Sequence, residues 1–208
     1  MNSKYDNVYE PHEDSYILLR NTLNYLKDKE NLDICEVGVG SGFVISNVAR
    51  KYKNNNFYGS DINESAIELT QKEFDKKNIN VTLKKTNLLE GFNKKFDLII
   101  FNTPYLPCEH NDKYEQLSVK NKAIYGGKKG YEIIEEFIYQ LNDKLKENGK
   151  SIIVFSSYSN FEYIKKLLKN NLYEYKTLET KRIFFEELYS IEIKKSNILQ
   201  KISKEKVT

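Results

Sequence analysis

The four residues from Asn102 to Tyr105 could hold a flat NH2 group in place for chemistry. They follow an apolar run at 96–101 that predicts a buried strand. Pro104 fixes its own φ and biases Thr103 toward an extended shape, so the Asn102 amide oxygen and the backbone carbonyls can form one rigid arc of hydrogen-bond acceptors. Such acceptors can orient an NH2 group whose lone pair is delocalised into a carbonyl or a purine. Tyr105 can pack against the flat group, and the segment contains no evident charged general base.

A glycine turn after the first predicted strand supports a functional role for this tetrapeptide, which alone could be an ordinary turn. The turn contains Glu36, Gly38, Gly40, Ser41 and Gly42. Glycines let the backbone bend sharply and approach a ligand closely, and the amides at the start of the next helix point at electronegative groups. Asp61 stands at the end of the second strand, about twenty residues after the glycines, where it can accept hydrogen bonds from ribose hydroxyls. The spacing G-x-G-x-G is shorter than that of dinucleotide-binding proteins, which argues against NAD.

Alternating helical and strand patterns predict the elements that position these residues. Apolar spacing predicts helices at 14–27, 43–52, 63–77 and 131–146 and another from Asn160, and strands at 32–37, 57–62, around 81–83, 96–101, 151–155, 172–178 and 187–193. We therefore predict a Rossmann-like, seven-stranded, mostly parallel sheet with helices on both faces and a C-terminal antiparallel hairpin. The carboxyl ends of parallel strands gather ligands at one edge. A polar, glycine-containing loop at 107–130 is long enough to be a functional lid.

Length and composition favour one domain, expected to span residues 1–194 with its N-terminal helix. The Lys-rich stretch 195–208 reads as a basic tail, either a frayed helix or disordered. The 33 Lys and Arg against 30 Asp and Glu give a net charge of +3, too balanced to indicate a polyanionic partner. No apolar run suits a signal peptide or membrane span, so a cytoplasmic location is expected. Cys35 is expected in the core, and Cys108, Glu109 and His110 are too few to predict a metal.

With its motifs in this order, the chain resembles the HemK/PrmC-type class I methyltransferases, most closely their short archaeal and eukaryotic release-factor branch. That branch opens with a Tyr-Glu-Pro-x-Glu-Asp-Thr-type motif, matched here by Tyr9, Glu10, Pro11, His12, Glu13, Asp14 and Ser15. Its Asn-Pro-Pro-Tyr motif has Thr103 in place of the first proline, which predicts a less rigid backbone. Its Gly-Gly-x-x-Gly segment is matched by Gly126, Gly127 and Gly130, which assigns the long loop to the acceptor site.

The resemblance implies S-adenosylmethionine as cofactor. The implied cofactor-binding residues are Ser15 near the methionine end, Glu36, Gly38, Gly40 and Gly42 in the turn, Asp61 at the ribose, Asn87 and Leu88 at the adenine, and Asn102. Asn87 stands where the family usually has Asp, and it can still accept a hydrogen bond from the adenine amino group. The implied catalytic residues are Asn102, Thr103, Pro104 and Tyr105.

The resemblance also implies an acceptor and a partner. The acceptor is the side-chain amide of the glutamine in the Gly-Gly-Gln loop of a class I peptide chain release factor, methylated by direct in-line displacement. The partner is a small zinc-binding activator subunit that forms a heterodimer. Three alternatives stay open: methylation of an adenine amino group in a nucleic acid, methylation of a protein lysine, and a non-catalytic subunit that keeps the fold. The balanced charge speaks against nucleic acid, and the intact glycines, Asp61 and Asn102 speak against a non-catalytic role.

Overall fold

A computed structural model describes residues 10–108 and 123–205, with side chains described as far as residue 203. The helices are α1 (Glu13–Tyr25), α2 (Phe43–Lys51), α3 (Glu64–Lys77), α4 (Glu132–Lys144), α5 (Phe161–Asn170) and α6 (Asn197–Glu205), with a short 3-10 turn at Ser157–Ser159. The strands are β1 (Asp33–Val37), β2 (Asn56–Asp61), β3 (Thr82–Lys85), β4 (Phe96–Asn102), β5 (Leu145–Ser156), β6 (Tyr173–Ile183) and β7 (Glu186–Lys195). No described helix is long and apolar enough to cross a membrane.

The strands form one seven-stranded sheet in the order β3-β2-β1-β4-β5-β7-β6. The first five strands pair in parallel, and β7 pairs antiparallel with both β5 and β6. The order reverses between β1 and β4, which opens a crevice beyond their carboxyl ends where ligands bind in such sheets. The predicted fold class is therefore confirmed.

Two apolar layers pack on opposite faces of the sheet, because successive strand residues point to opposite sides. Ile99 and Phe101 of β4 lie in the layer beneath α4 and α5, whereas Leu98 and Ile100 lie in the layer beneath α1 and α2. All four side chains are buried. The continuous apolar run at 98–101 is therefore explained by burial of β4 on both faces, as expected for a central parallel strand.

The strand registers bring the predicted site residues to one edge. Val37 at the end of β1 pairs with Ser60 of β2 and with Phe101 of β4. Asp61 and Asn102 each stand one residue beyond these pairs, so the glycine turn, the acidic strand end and the asparagine motif meet at the same end of the sheet.

Several predicted boundaries are wrong. The helix predicted at 131–146 ends at Lys144, and β5 begins at Leu145 instead of Ser151 because Leu145 pairs with Phe96 before a register shift. The strands predicted at 172–178 and 187–193 both reach closer to the turn that connects them. Their backbones pair from Tyr173 with Lys195 at one end to Ile183 with Glu186 at the other. A helix follows at Asn197–Glu205, where the sequence allowed either a frayed helix or a disordered tail.

Candidate functional site

A cleft opens along the carboxyl ends of β1, β2 and β4. It holds about 1100 Å³ of empty space, part of it continuous with solvent. Nine of the residues predicted from the sequence line it: Ser15, Glu36, Gly38, Gly40, Asp61, Asn87, Leu88, Asn102 and Pro104. Gly42, Thr103 and Tyr105, also predicted as site residues, do not line it. The cleft is large enough for a nucleotide-sized ligand.

The glycine turn adopts backbone conformations that other residues rarely take. Gly38, Gly40 and Gly42 have φ values of 66°, 50° and 72°. Glycine has no Cβ to clash in this left-handed region, so each position suits it. Gly42 has a further reason to be glycine, because a Cβ there would lie 2.8 Å from the Phe74 ring. Its evident structural role is to let α2 start close to α3, while Gly38 and Gly40 face the cleft.

The Asp61 carboxylate holds the glycine turn from the end of β2. Its Oδ2 accepts a hydrogen bond from the Gly40 amide at 2.9 Å and its Oδ1 accepts one from the Asn63 amide at 2.8 Å. Burial raises the pKa of Asp61 above its ordinary value, although these amides act in the opposite direction. Each carboxylate oxygen can accept more than one hydrogen bond, so Asp61 can hold the turn and still bind a hydroxyl group.

Glu36 brings a second buried carboxyl group to the cleft. It is 3% exposed, and its Oε2 accepts a hydrogen bond from the Ile45 amide at 2.8 Å, within the first turn of α2. Burial raises the pKa of Glu36 well above its ordinary value, the Ile45 amide opposes this, and the nearby Asp61 charge adds to the rise. A positively charged ligand would favour the ionised forms of both carboxyl groups.

The side-chain oxygen of Asn102 is a buried hydrogen-bond acceptor to which no described residue donates. Its Oδ1 is inaccessible to solvent and has no hydrogen-bond donor among the described residues. Its Nδ2 donates to the Ser15 Oγ at 3.4 Å, which turns the amide so that the oxygen lies on the other side. Buried polar atoms almost always have partners, and an unpaired one needs a specific explanation. A ligand N–H group in the cleft would supply the missing donor.

Thr103 anchors the motif to the neighbouring strand. Its backbone N–H and its Oγ1 both donate to the Val154 carbonyl of β5, at 3.1 and 2.9 Å. The side chain is buried and points away from the cleft. The sequence predicted a looser backbone without the family's proline. The structure shows that two hydrogen bonds, which proline could not make, restrain this residue instead.

This anchoring predicts the effect of two substitutions. Thr103→Val keeps the shape but removes the Oγ1 hydrogen bond, and we expect it to lower kcat roughly three- to tenfold because the acceptor arc loses alignment. Thr103→Ser keeps the hydroxyl group and should stay close to wild type. Steady-state turnover of the reaction that the resemblance implies, with ligand Kd measured in parallel, tests this prediction, and equal rates for the two variants would contradict it.

Tyr105 connects the motif to the start of α1. Its hydroxyl group donates to the Asp14 Oδ2 at 3.4 Å, and the Asp14 Oδ1 accepts from the Ser15 Oγ at 3.2 Å. Burial and then the Asp14 carboxylate raise the pKa of Tyr105, so the phenol stays protonated. Asp14 was not predicted as a site residue, although the motif 9–15 contains it. Its 3% exposure at the start of a helix is visible only in the folded chain.

Two glycines near the end of the loop 107–130 pack against the motif backbone. A Cβ on Gly126 would lie 2.3 Å from the Pro104 carbonyl oxygen, and one on Gly130 would lie 2.5 Å from the Tyr105 carbonyl oxygen. The Leu106 amide donates to Ile124 and the Gly126 amide donates to Leu106. Both described ends of the loop 107–130 therefore lie beside the motif, and residues 109–122 between them are outside the described part.

Asn87 and Leu88 line the far end of the cleft. The Asn87 Nδ2 donates to the Glu136 Oε1 at 2.6 Å, which turns its oxygen away from that carboxylate. Leu88 has a left-handed φ of 46°, and its carbonyl accepts from the Ser60 Oγ at 2.7 Å. Several further lining residues were not predicted: Pro11, Val37, Val39, Ser41, Phe43, Val44, Ser60, Ile62, Asn63, Ala66, Thr86, Phe101, Ala123 and Ile133. Ile62 is 56% exposed beside Asp61, and an apolar residue directly after an acidic strand end was the available signal.

Within the described residues, no group of three or more His, Cys, Asp or Glu side chains could hold a metal ion. Cys35 and Cys108 are both buried, and neither forms a disulfide with a described residue. Glu109 and His110, the other two residues considered for a metal site, and Tyr9 of the N-terminal motif lie outside the described part.

Solved methyltransferase structures share this fold. A chain of the E. cuniculi Mtq2-Trm112 complex, which is described as responsible for methylation of the eRF1 translation termination factor, is 25% identical with a TM-score of 0.70, over 91% of this chain and 99% of that one. A ribosomal protein L11 methylase from Lactobacillus delbrueckii subsp. bulgaricus has a TM-score of 0.63 at 21% identity, over 91% of this chain and 83% of its own, a likeness of fold alone. The fold and the cleft define a class I, Rossmann-like methyltransferase.

Residues 14–185 match the family model described as Methyltransferase small domain, and the chain belongs to this family. A Methanocaldococcus jannaschii relative named as a protein N5-glutamine methyltransferase is 41% identical over 72% of this chain and 73% of its own length. The eRF1 methyltransferase catalytic subunit mtq2 of Schizosaccharomyces pombe is 29% identical over 70% of this chain and 71% of its own. The release factor glutamine methyltransferase of Fusobacterium nucleatum is 30% identical over 80% of this chain, which spans 48% of that relative. The chain is an enzyme that uses S-adenosylmethionine.

The residues of the cleft fit this cofactor. S-adenosylmethionine carries a sulfonium and an ammonium group, and the buried carboxyl groups of Glu36 and Asp61 suit a cationic ligand. The left-handed glycines Gly38 and Gly40 leave bare backbone along one wall, where a ligand can approach closely.

Proposed function

We propose that this enzyme methylates the side-chain amide nitrogen of the glutamine in the Gly-Gly-Gln loop of a class I peptide chain release factor. The observation that carries the proposal is the buried Asn102 Oδ1, which has no donor among the described residues. An amide NH2 group supplies the N–H that this oxygen lacks. The relatives named for glutamine methylation and for eRF1 support the same acceptor.

The site residues would act by holding the acceptor amide rather than by taking its proton. S-adenosylmethionine, when bound, supplies an electrophilic methyl group on a positively charged sulfur. Asn102 accepts one amide N–H, and the carbonyls around Thr103 and Pro104 offer acceptors for the other, which turns the nitrogen toward the methyl carbon. Tyr105, held by Asp14, supports the far side of the motif. The acceptor nitrogen would gain the methyl group that the sulfonium gives up and would release one of its two protons to water.

The remaining predicted residues would hold the cofactor along the cleft. Asp61 suits the ribose hydroxyls, and the oxygen of Asn87 faces away from Glu136 and can accept from the adenine amino group. Ser15 and Glu36 line the end of the cleft next to Asn102, where the methionine part belongs. Gly42 would contribute by shaping the turn.

The test offers labelled S-adenosylmethionine and the enzyme to a release factor, tRNA, ribosomal RNA and DNA in parallel. We expect label only in the release factor, on the peptide that contains Gly-Gly-Gln. A release factor with Gln→Glu at that position is the matched control, because it keeps the shape and loses the NH2 group. Label in nucleic acid would instead favour the adenine alternative, and label on lysine would favour methylation of a protein lysine.

We further propose a small zinc-binding activator subunit as partner and the cytoplasm as the location. The support for a partner is that the E. cuniculi relative was solved as a complex with Trm112. Co-purification with intact-mass measurement and zinc determination tests this proposal. A fully active enzyme purified without any second chain would contradict it.

A further inference from the structure

We propose that the turn between β6 and β7 is a docking element for the protein that carries the acceptor glutamine. Its two residues, Phe184 and Phe185, are here called the aromatic tip. They are 89% and 95% exposed, more than any other large apolar side chain among the described residues. The inference deepens the proposed function and rests on it.

The aromatic tip has no evident role in folding. Ile183 pairs with Glu186, so the tip is a two-residue hairpin turn, and Phe184 has a left-handed φ of 48°. Asn, Asp and Gly are the residues that such turns favour, because other side chains are strained there. Phe184 therefore carries backbone strain, and both rings expose apolar surface to water. Strained residues persist where another function keeps them.

The aromatic tip lies at the same edge of the sheet as the cleft, on the side of Asn102. Leu188 of β7 pairs with Ser156 at the end of β5, so the tip projects beyond that end. The Glu187 amide donates to the Ser157 Oγ at 3.1 Å, and the Ser159 Oγ donates to the Tyr105 carbonyl at 3.2 Å. The short turn Ser157–Ser159 thus joins the hairpin directly to the asparagine motif.

A second contact joins the hairpin to the start of α1. The Lys181 Nζ lies 2.6 Å from the Glu13 Oε1, next to Asp14 and Ser15 at the acceptor end of the cleft. The strand order puts the residues proposed for ribose and adenine over β2 and β3, on the opposite side of Asn102. A protein that approaches Asn102 from the β5 side would therefore lie beside the hairpin, whereas the residues proposed for ribose and adenine lie on the β2 side.

The charges around the aromatic tip favour a protein surface over a nucleic acid. Lys181 and Arg182 precede it and Glu186 and Glu187 follow it, so the four charges cancel. A protein surface that binds nucleic acid requires an excess of positive charge. Exposed aromatic rings in a polar, neutral rim are typical of protein interfaces, where a few such anchors supply most of the binding energy. The tip thus suits an apolar patch outside the Gly-Gly-Gln loop.

The test compares an intact release factor with a short peptide containing Gly-Gly-Gln, using the full-length enzyme with any co-purifying subunit. The double variant Phe184→Gly, Phe185→Asn places glycine at the residue with the left-handed φ and should fold at least as well as wild type. We expect its KM for the intact factor to rise roughly ten- to hundredfold, with kcat unchanged. Its KM for the peptide should not change. Ile198→Gln, which alters a 60% exposed side chain on α6, is the matched control and should change neither value.

An unchanged KM for the intact factor, or equal losses on factor and peptide, would overturn the docking role. Calorimetric binding of the intact factor to the double variant gives the same answer if the peptide is not turned over. Failure of the proposed function has a different signature, because wild-type enzyme would then methylate no release factor. Methylation of nucleic acid by the wild type would overturn both proposals.

Discussion

Replacing Asn102 by alanine should lower kcat for the protein acceptor by a factor of about 100 to 1000 and leave the Kd for S-adenosylmethionine within about twofold of wild type. The expected size is that of removing one fixed group that aligns or stabilises the reacting atoms. The substitution deletes the Oδ1 acceptor but keeps the cleft walls formed by the glycine turn and Asp61. Single-turnover methyl transfer and calorimetry measure the two quantities separately.

Two control variants make this result specific. Asn102→Asp keeps an acceptor oxygen at the same position and should retain more activity than the alanine variant. Asn54→Ala removes an exposed asparagine whose Nδ2 donates to Glu30, remote from the cleft, and should behave as wild type. If Asn102→Ala retains turnover, or if it loses cofactor affinity as strongly as turnover, the proposed positioning role is wrong.

Replacing Asp61 by alanine should raise the Kd for S-adenosylmethionine roughly ten- to hundredfold. The variant loses the carboxylate proposed to bind the ribose hydroxyls, and charged hydrogen bonds of this kind each contribute about 1.5–3 kcal/mol. It also frees the Gly40 amide, so the glycine turn loses one of its restraints. At saturating cofactor, kcat should recover most of its wild-type value, because the acceptor arc is untouched. Calorimetric titration and kcat at several cofactor concentrations check both statements.

Loss of the hydrogen bond between Asp61 and the Gly40 amide requires a control of its own. Asp61→Asn keeps one acceptor oxygen for the Gly40 amide and removes the charge, so it separates support of the turn from binding of the ribose. Asp75→Ala removes an exposed carboxylate on α3 that accepts from Gln71, and it should leave Kd and Tm close to wild type. An unchanged cofactor Kd in Asp61→Ala would show that the ribose is held elsewhere.

The confirmed fold was predictable because its elements have strong periodic patterns. The apolar run of β4 and the helical spacing of Ile134, Phe137, Ile138 and Leu141 are each local properties of the chain, and all of these side chains are buried in the structure. The ends of the last strands were predicted too short, because exposed polar positions of β6 such as Thr180 and Arg182 carry no apolar signal. Their strand conformation comes from pairing with β7.

The sequence by itself determined the class of site. A glycine turn, an acidic strand end and an asparagine motif together predict a ligand site wherever the parallel strands that carry them end at one edge of a sheet. Only the tertiary structure decided how those residues are used. It turned Thr103 away from the cleft onto Val154, left the Asn102 oxygen buried without a described donor, and brought Asp14 beside Tyr105 across 91 residues of chain. It also joined the hairpin that carries the aromatic tip to the asparagine motif through the turn Ser157–Ser159. The physical reason is that these relations depend on which strands are neighbours and on how side chains pack, and neither is a property of any local stretch of sequence.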